Sequence, residues 1–82
     1  MRYTVVWHPA AQRELARLWN QAPDRRAVSD AANRIDGMLA RNPLSLGRPY
    51  GADRVLTVRP LEVLYSVSRD DRMVRVHVIR RA

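Results

Sequence analysis

The spacing of hydrophobic residues in the first half of the chain predicts one strand followed by two helices. Alternating apolar residues, rich in β-branched and aromatic side chains, predict a strand over Arg2–Trp7. Apolar residues then recur every three or four positions, which predicts amphipathic helices over Ala10–Asn20 and Arg25–Arg41. Asn42-Pro43 ends the second helix, because the residue before a proline is pushed out of helical geometry. The short break between the helices predicts an antiparallel hairpin.

The second half of the chain predicts a loop and three strands. The loop contains four residues typical of turns, namely Pro43, Gly47, Pro49 and Gly51. Strands are then predicted over Arg54–Arg59, over Leu61–Ser68 and over Met73–Ile79, separated by Pro60 and by a polar turn. Because the connections are short, neighbouring strands should pair as an antiparallel meander.

The order β-α-α-β-β-β predicts an α+β fold in which the helical hairpin packs on one face of a small antiparallel sheet. The other face of the sheet would be open and is the natural working surface. Tyr65, Trp7 and Trp19 are predicted to be core residues, and His8 is predicted to cap a helix or lie at the surface. In the last strand the alternation predicts Val74, Val76 and Val78 on one face and Met73, Arg75, His77 and Ile79 on the other.

Composition limits the fold and the partners. The 82 residues suffice for a single domain, 1–82, and the absence of cysteine excludes disulfides and thiolate metal sites. No signal peptide is evident, and no segment approaches the roughly 18 apolar residues of a membrane span, so a cytoplasmic protein is expected. The net charge is +7 and all fifteen basic residues are arginine, which indicates a polyanionic partner, either nucleic acid or an acidic protein.

Candidate chemistry is sparse. No P-loop, dinucleotide fingerprint, HExxH motif or nucleophile elbow occurs, and two histidines are too few to predict a metal site. A bound cofactor is not expected in so small a core. His77 follows Arg75 on the predicted open face, so it is a candidate for proton transfer beside a phosphate-binding arginine, although a solvated strand histidine is the alternative.

The arginines cluster around the loop and the last two strands. As a group they suit a nucleic-acid backbone or an acidic polypeptide. Arg54 and Arg59 are five residues apart, so they should face opposite sides of an ideal strand. The candidate RNA-binding residues are Arg48, Arg54, Arg75 and Arg81, with Tyr50 as a residue that stacks on a base.

The chain resembles toxins of the RelE/ParE superfamily from bacterial type II toxin–antitoxin systems. The resemblance covers nearly the whole chain and rests on the order and spacing of several short motifs. These are residues 3–7 with Pro9 and Ala10, residues 14–18, Ile35-Asp36, Leu39, Asn42-Pro43, Gly47, residues 60–67, Asp71-Arg72, Val74, Val76 and Val78. The β-α-α-β-β-β order predicted from the hydrophobic pattern agrees with the fold of this superfamily.

The resemblance implies a growth-inhibiting toxin that an acidic antitoxin neutralises by wrapping it with a helix and extended segments. RelE-like members cleave mRNA on the ribosome, whereas ParE-like members poison DNA gyrase. The RNase members carry an arginine just before the hydrophobic pair and the tyrosine of the third strand. This chain has Glu62 at the position of that arginine, and it has no tyrosine after Tyr65. A third hypothesis is a non-toxic basic interaction module that has kept the fold.

Cleavage of RNA by its own 2′-hydroxyl requires a base, an acid and cations that hold the phosphate. Arginine keeps its proton throughout the physiological range, so it serves only as the cation. For this chain the proton transfer would fall to His77, Glu62 or a tyrosine. The candidate catalytic set is Glu62 or His77 as the base, with Arg59 or Arg80 on the phosphate.

Overall fold

The computed structural model describes residues 2–82 as a five-stranded sheet with two helices packed on one face. The elements are β1 (Thr4–Trp7), α1 (Pro9–Gln21), α2 (Arg25–Arg41), β2 (Arg48–Tyr50), β3 (Asp53–Val58), β4 (Leu61–Ser68) and β5 (Met73–Arg81). The predicted α+β class is therefore confirmed, and α2 and β4 have the predicted boundaries.

The sheet has the strand order β1-β5-β4-β3-β2. Its last four strands form the predicted antiparallel meander, but β1 pairs with β5 in parallel, with Val5 opposite Val74 and Trp7 opposite Val76. The prediction of an entirely antiparallel sheet is wrong at this edge. The helical hairpin and the other strands lie between β1 and β5 along the chain, so the connection is long enough for a parallel pair.

Several elements differ from the sequence prediction, and the larger differences have local reasons; β1 begins at Thr4 and β3 covers Asp53–Val58, shifts of one or two residues. Helix α1 begins at Pro9, because His8 caps it: the His8 Nδ1 atom accepts a hydrogen bond from the Ala10 N–H, as the capping prediction requires. The predicted loop contains β2, which a two-residue turn at Gly51 joins to β3. Strand β5 continues to Arg81, because its last residues pair with the start of β4.

The core lies between the helices and the inner face of the sheet. Ile35 and Leu39 of α2 are fully buried, as are Leu61 and Val63 of β4. Tyr65 is also fully buried, as predicted, and its hydroxyl donates to carbonyl oxygens of the loop that follows α2. The prediction for Trp7 is confirmed, since it packs half-buried against this core.

Trp19 was predicted as a core residue, and this prediction is wrong. Its side chain is 39% exposed at the end of α1, where the indole N–H donates to the Ser29 hydroxyl and the Arg25 guanidinium lies 4.9 Å from the ring centroid. The ring packs across the surface of the two helices because it sits one position beyond Leu18 and so turns away from the sheet.

A β-bulge in β5 changes which residues at the end of the strand face the core and which face the open side of the sheet. Tyr65 pairs with Val76 but Leu64 pairs with Val78, so His77 is an extra residue without a partner across the ladder. The predicted alternation is therefore wrong beyond His77: Val78 is 50% exposed on the open face, whereas Ile79 is buried in the core.

The Tyr65 hydroxyl ties the sheet to the loop after α2, so Tyr65→Phe should destabilise the fold without leaving a cavity. The hydroxyl lies 2.7 Å from the Pro43 carbonyl oxygen and 3.0 Å from that of Leu46. We expect a loss of about 1–3 kcal/mol in the free energy of unfolding, measured with urea, because a buried carbonyl is left unpaired. Tyr50→Phe, at a 64% exposed position, is the control. Equal stability of the two variants would contradict the prediction.

Candidate functional site

The face of the sheet that the helices leave open carries a mixed set of polar, charged and apolar side chains. We call it the outer face. Cross-strand pairs define it, because residues directly opposite one another point the same way. The pairs are Thr57 with Glu62, Val55 with Leu64, Leu64 with Val78, Glu62 with Arg80, and Ser66 with Arg75. Sequence alternation predicted an open face, but the bulge determines which residues of β5 reach it.

An apolar cup of about 260 Å³ occupies one half of the outer face. Val55, Leu64 and Val78 form its floor, one residue from each of three adjacent strands. Its rim is polar and carries two arginines, a carboxylate and a phenol, namely Arg48, Arg80, Glu62 and Tyr50. The cup can therefore hold an apolar or planar group while cations at its rim hold an attached anion.

Glu62 connects the residues of this rim through its hydrogen bonds. Its carboxylate accepts a hydrogen bond of 2.8 Å from the Thr57 hydroxyl and one of 2.7 Å from Arg80 Nε. These bonds, with the positive charges of Arg80 and Arg48, lower the pKa of Glu62 below its ordinary value. A carboxylate held in this way is a weak base, and its main effect is to fix the orientation of Arg80.

His77 and Ser66 form a second polar group on the outer face, beside the cup. The Ser66 hydroxyl oxygen lies 2.7 Å from His77 Nε2. Ser66 is two residues from Leu64, which places it about 7 Å along the strand from the floor of the cup. Arg75 lies directly opposite Ser66 on β5, and its exposed guanidinium makes no ion pair within residues 2–82.

The structure brings only part of the predicted catalytic set together. Glu62 and Arg80 are in contact, whereas His77 lies three residues from Arg80 along β5, a separation of about 10 Å between Cα atoms. Arg59 is in the exposed turn between β3 and β4, at the end of the sheet.

The predicted RNA-binding residues are divided between the two faces. Arg48 and Tyr50 lie at the cup, and Arg75 lies beside Ser66. Arg54 faces the helices and donates to the carbonyl oxygens of Leu46 and Gly47. Arg81 also lies on the inner side, where it forms an ion pair of 2.8 Å with Asp24 at the start of α2. The Arg81 contact lowers the pKa of Asp24.

Sequence reasoning missed Ser66, Leu64 and Val78 as residues of this site. Val78 and Ile79 are adjacent and both apolar, so alternation alone cannot decide which of them faces the core. The serine was overlooked because its importance comes only from the contact with His77, which depends on the pairing of β4 with β5.

Two further observations concern metal binding and membrane-spanning helices. Within residues 2–82, no three histidine or acidic side chains are grouped so that they could hold a metal ion. Neither helix of this range is long and apolar enough to cross a membrane.

The Glu62 network should make stability depend on pH in the acid range. Because folding lowers the pKa of Glu62, its contribution is present above the ordinary glutamate pKa of about 4.3 and is lost as the pH falls through the lower folded value. Glu62→Gln should therefore be less stable than the parent at pH 7, and this difference should shrink as the pH approaches 3. Urea midpoints across this range measure it, with Asp70→Asn in an exposed turn as the control. A difference that stays constant with pH would contradict the prediction.

Comparison with known proteins gives matches of structure only. No family model matches the sequence, and no curated protein matches it. Three solved structures illustrate the likeness in fold. The toxin–antitoxin complex RelBE2 from Mycobacterium tuberculosis is 21% identical over 100% of this chain and 93% of that chain, with a TM-score of 0.81.

The other two structures are one ParDE system and one RelBE complex. The chromosomal ParDE toxin–antitoxin system from P. aeruginosa is 18% identical over 99% of this chain and 97% of that chain, with a TM-score of 0.78. The intact E. coli RelBE toxin–antitoxin complex is 15% identical over 98% of this chain and 96% of that chain, with a TM-score of 0.69. The chain therefore has the fold of the RelE/ParE superfamily of toxins.

Proposed function

We propose that this protein is the toxin of a type II toxin–antitoxin pair and that it inhibits growth in the cytoplasm when its antitoxin is absent. The observation that carries the proposal is the match of fold over the whole chain to structures of RelE-type and ParE-type complexes. The charge of +7 supports an acidic antitoxin as the partner, because opposite charges favour association.

The reaction that the outer face supports best is cleavage of mRNA on the ribosome. Arg75 binds the phosphate that is attacked, and His77 is the base. Arg48 and Arg80 hold a neighbouring phosphate while a base occupies the apolar cup beside Tyr50. Glu62 keeps Arg80 in place and takes no proton itself.

The proposed step is an attack by the ribose 2′-hydroxyl. His77 takes the proton from that hydroxyl, its oxygen forms a bond to phosphorus, and the bond from phosphorus to the 5′ oxygen breaks. A water molecule gives its proton to the leaving 5′ oxygen, and the resulting hydroxide restores neutral His77. The products are a cyclic 2′,3′-phosphate and a free 5′-hydroxyl.

A second candidate function, poisoning of DNA gyrase, is favoured by the cup. Its floor of Val55, Leu64 and Val78 suits an apolar side chain of a protein partner, and Arg80 is already neutralised by Glu62. The likeness to the ParDE structure supports this alternative as well. In that case the protein binds its target and catalyses no reaction.

Two assays separate these candidates. Purified protein is added to translating ribosomes and the message is mapped by primer extension, and in parallel it is added to a gyrase supercoiling reaction. New 5′ ends within the ribosomal A site support mRNA cleavage. Inhibition of supercoiling without such ends supports the gyrase target. Induced expression that leaves growth unchanged would contradict the toxin proposal and favour a non-toxic interaction module.

A further inference from the structure

The hydrogen bond between Ser66 and His77 lies at the bulge in β5. His77 shares the outer face with Arg75 and Ser66, and because residue 77 is extra in the ladder, Val78 reaches this face as well. Bulges near functional sites commonly redirect a side chain in this way. The bond uses only one ring nitrogen, Nε2.

The other ring nitrogen, Nδ1, is open to solvent. It has no hydrogen-bond partner within residues 2–82. In the same range no buried side-chain nitrogen or oxygen lacks a partner. An unpaired Nδ1 atom therefore has some contact with solvent, and it is the ring nitrogen that no protein group occupies.

The surroundings of His77 favour one tautomer of its neutral ring. A neutral imidazole has one N–H donor and one lone pair, and the hydrogen bond at one nitrogen determines what the other presents. Arg75, two residues earlier on the same strand and exposed on the outer face, carries only donors. A positive charge two residues away favours a lone pair on Nδ1 over an N–H, because the lone pair is the negative end of the ring dipole.

We propose that Ser66 is a positioning residue for His77. Its hydroxyl oxygen accepts the Nε2–H and holds the ring in the tautomer that leaves a lone pair on Nδ1. Nδ1 is then the atom that takes the proton from the ribose 2′-hydroxyl. This role rests on the proposed mRNA cleavage, whereas the tautomer is a property of the free protein.

The tautomer can be measured without any activity. In ¹⁵N NMR spectra of the free protein at a pH where the ring is neutral, we expect His77 to carry its hydrogen on Nε2. Ser66→Ala should give a mixture of both tautomers, and Ser66→Thr, which keeps the hydroxyl, should restore the parent signal. Ser68→Ala is the matched control, because Ser68 lies on the same strand but bonds to Asp71. A hydrogen on Nδ1 in the parent, or no change in Ser66→Ala, would overturn the proposal.

A cleavage assay on translating ribosomes then tests the catalytic consequence. Removing the partner that orients a metal-ligating histidine typically costs about 10–100-fold, and we expect a loss of similar size for Ser66→Ala, with rescue by Ser66→Thr. Full activity of Ser66→Ala would overturn the positioning role. If the parent itself cleaves no message while the tautomers behave as expected, the proposed mRNA cleavage fails and the Ser66–His77 geometry stands.

Discussion

His77→Ala is expected to lower the rate of mRNA cleavage about 100- to 10,000-fold, the range in which a general base contributes. Glu62 is bound to Thr57 and Arg80 and has a lowered pKa, and arginine does not release its proton at physiological pH. Neither Glu62 nor the arginines of the outer face can therefore replace the imidazole. Primer extension on ribosome-bound message, with the protein at several concentrations, measures the rate of the proposed cleavage.

The matched control for this variant is His8→Ala. His8 is the other histidine of the chain: its backbone N–H donates to the Val76 carbonyl oxygen beside the bulge, but its Nδ1 is occupied by the Ala10 N–H as the cap of α1. We expect this variant to lose some stability but to cleave normally once folded. Cleavage by His77→Ala at the parent rate would contradict the assignment of the base. If both variants also stop growth equally, the gyrase candidate gains support.

Gly47→Ala is expected to destabilise the fold by about 2–4 kcal/mol, because the strain of a left-handed backbone adds to a steric clash. Gly47 has a φ of 66°. A Cβ atom there would lie 2.2 Å from the Val55 carbonyl oxygen, which belongs to the backbone of β3 and cannot rotate away. Relief of the contact requires the loop after α2 to move away from the sheet. Urea denaturation followed by circular dichroism measures the loss.

Gly51→Ala separates the two contributions. Gly51 has a similar φ of 62°, but a Cβ atom there would meet nothing within 4 Å. We expect this control to lose only about 1–2 kcal/mol, the cost of the left-handed conformation itself. Equal losses in the two variants would show that the close approach of Gly47 to β3 has no energetic effect.

The elements that the sequence predicted well are those with a strong local signal. Helix α2 ends where Asn42-Pro43 forbids helical geometry, and β4 shows a clear alternation around the buried Tyr65. Strand β2 was missed because it has only three residues, including a proline, and forms only by pairing with β3. The parallel pairing of β1 with β5 joins distant parts of the chain, so no local pattern encodes it.

The candidate site was predictable in its charges but not in its geometry. Arg75 and His77 were identified from their positions on one strand, and Glu62 from its departure from the RNase pattern. Which cations face the open side depends on cross-strand pairing: Arg81 is opposite Leu61, a core residue, so it turns toward the helices. The hydrophobic pattern gives no sign of the bulge, because Val78 and Ile79 are both apolar and either of them could face the core.

The bulge also has an evolutionary consequence. On either side of His77 the ladder between β4 and β5 is regular, with Val76 opposite Tyr65 and Val78 opposite Leu64. Loss of the single codon for residue 77 would join these two segments into an uninterrupted ladder and leave every other cross-strand pair in place. The base of the proposed reaction is thus an insertion that one in-frame deletion removes while the fold is retained. Under the proposed function, such a deletion would abolish cleavage and leave the rest of the surface available to an antitoxin.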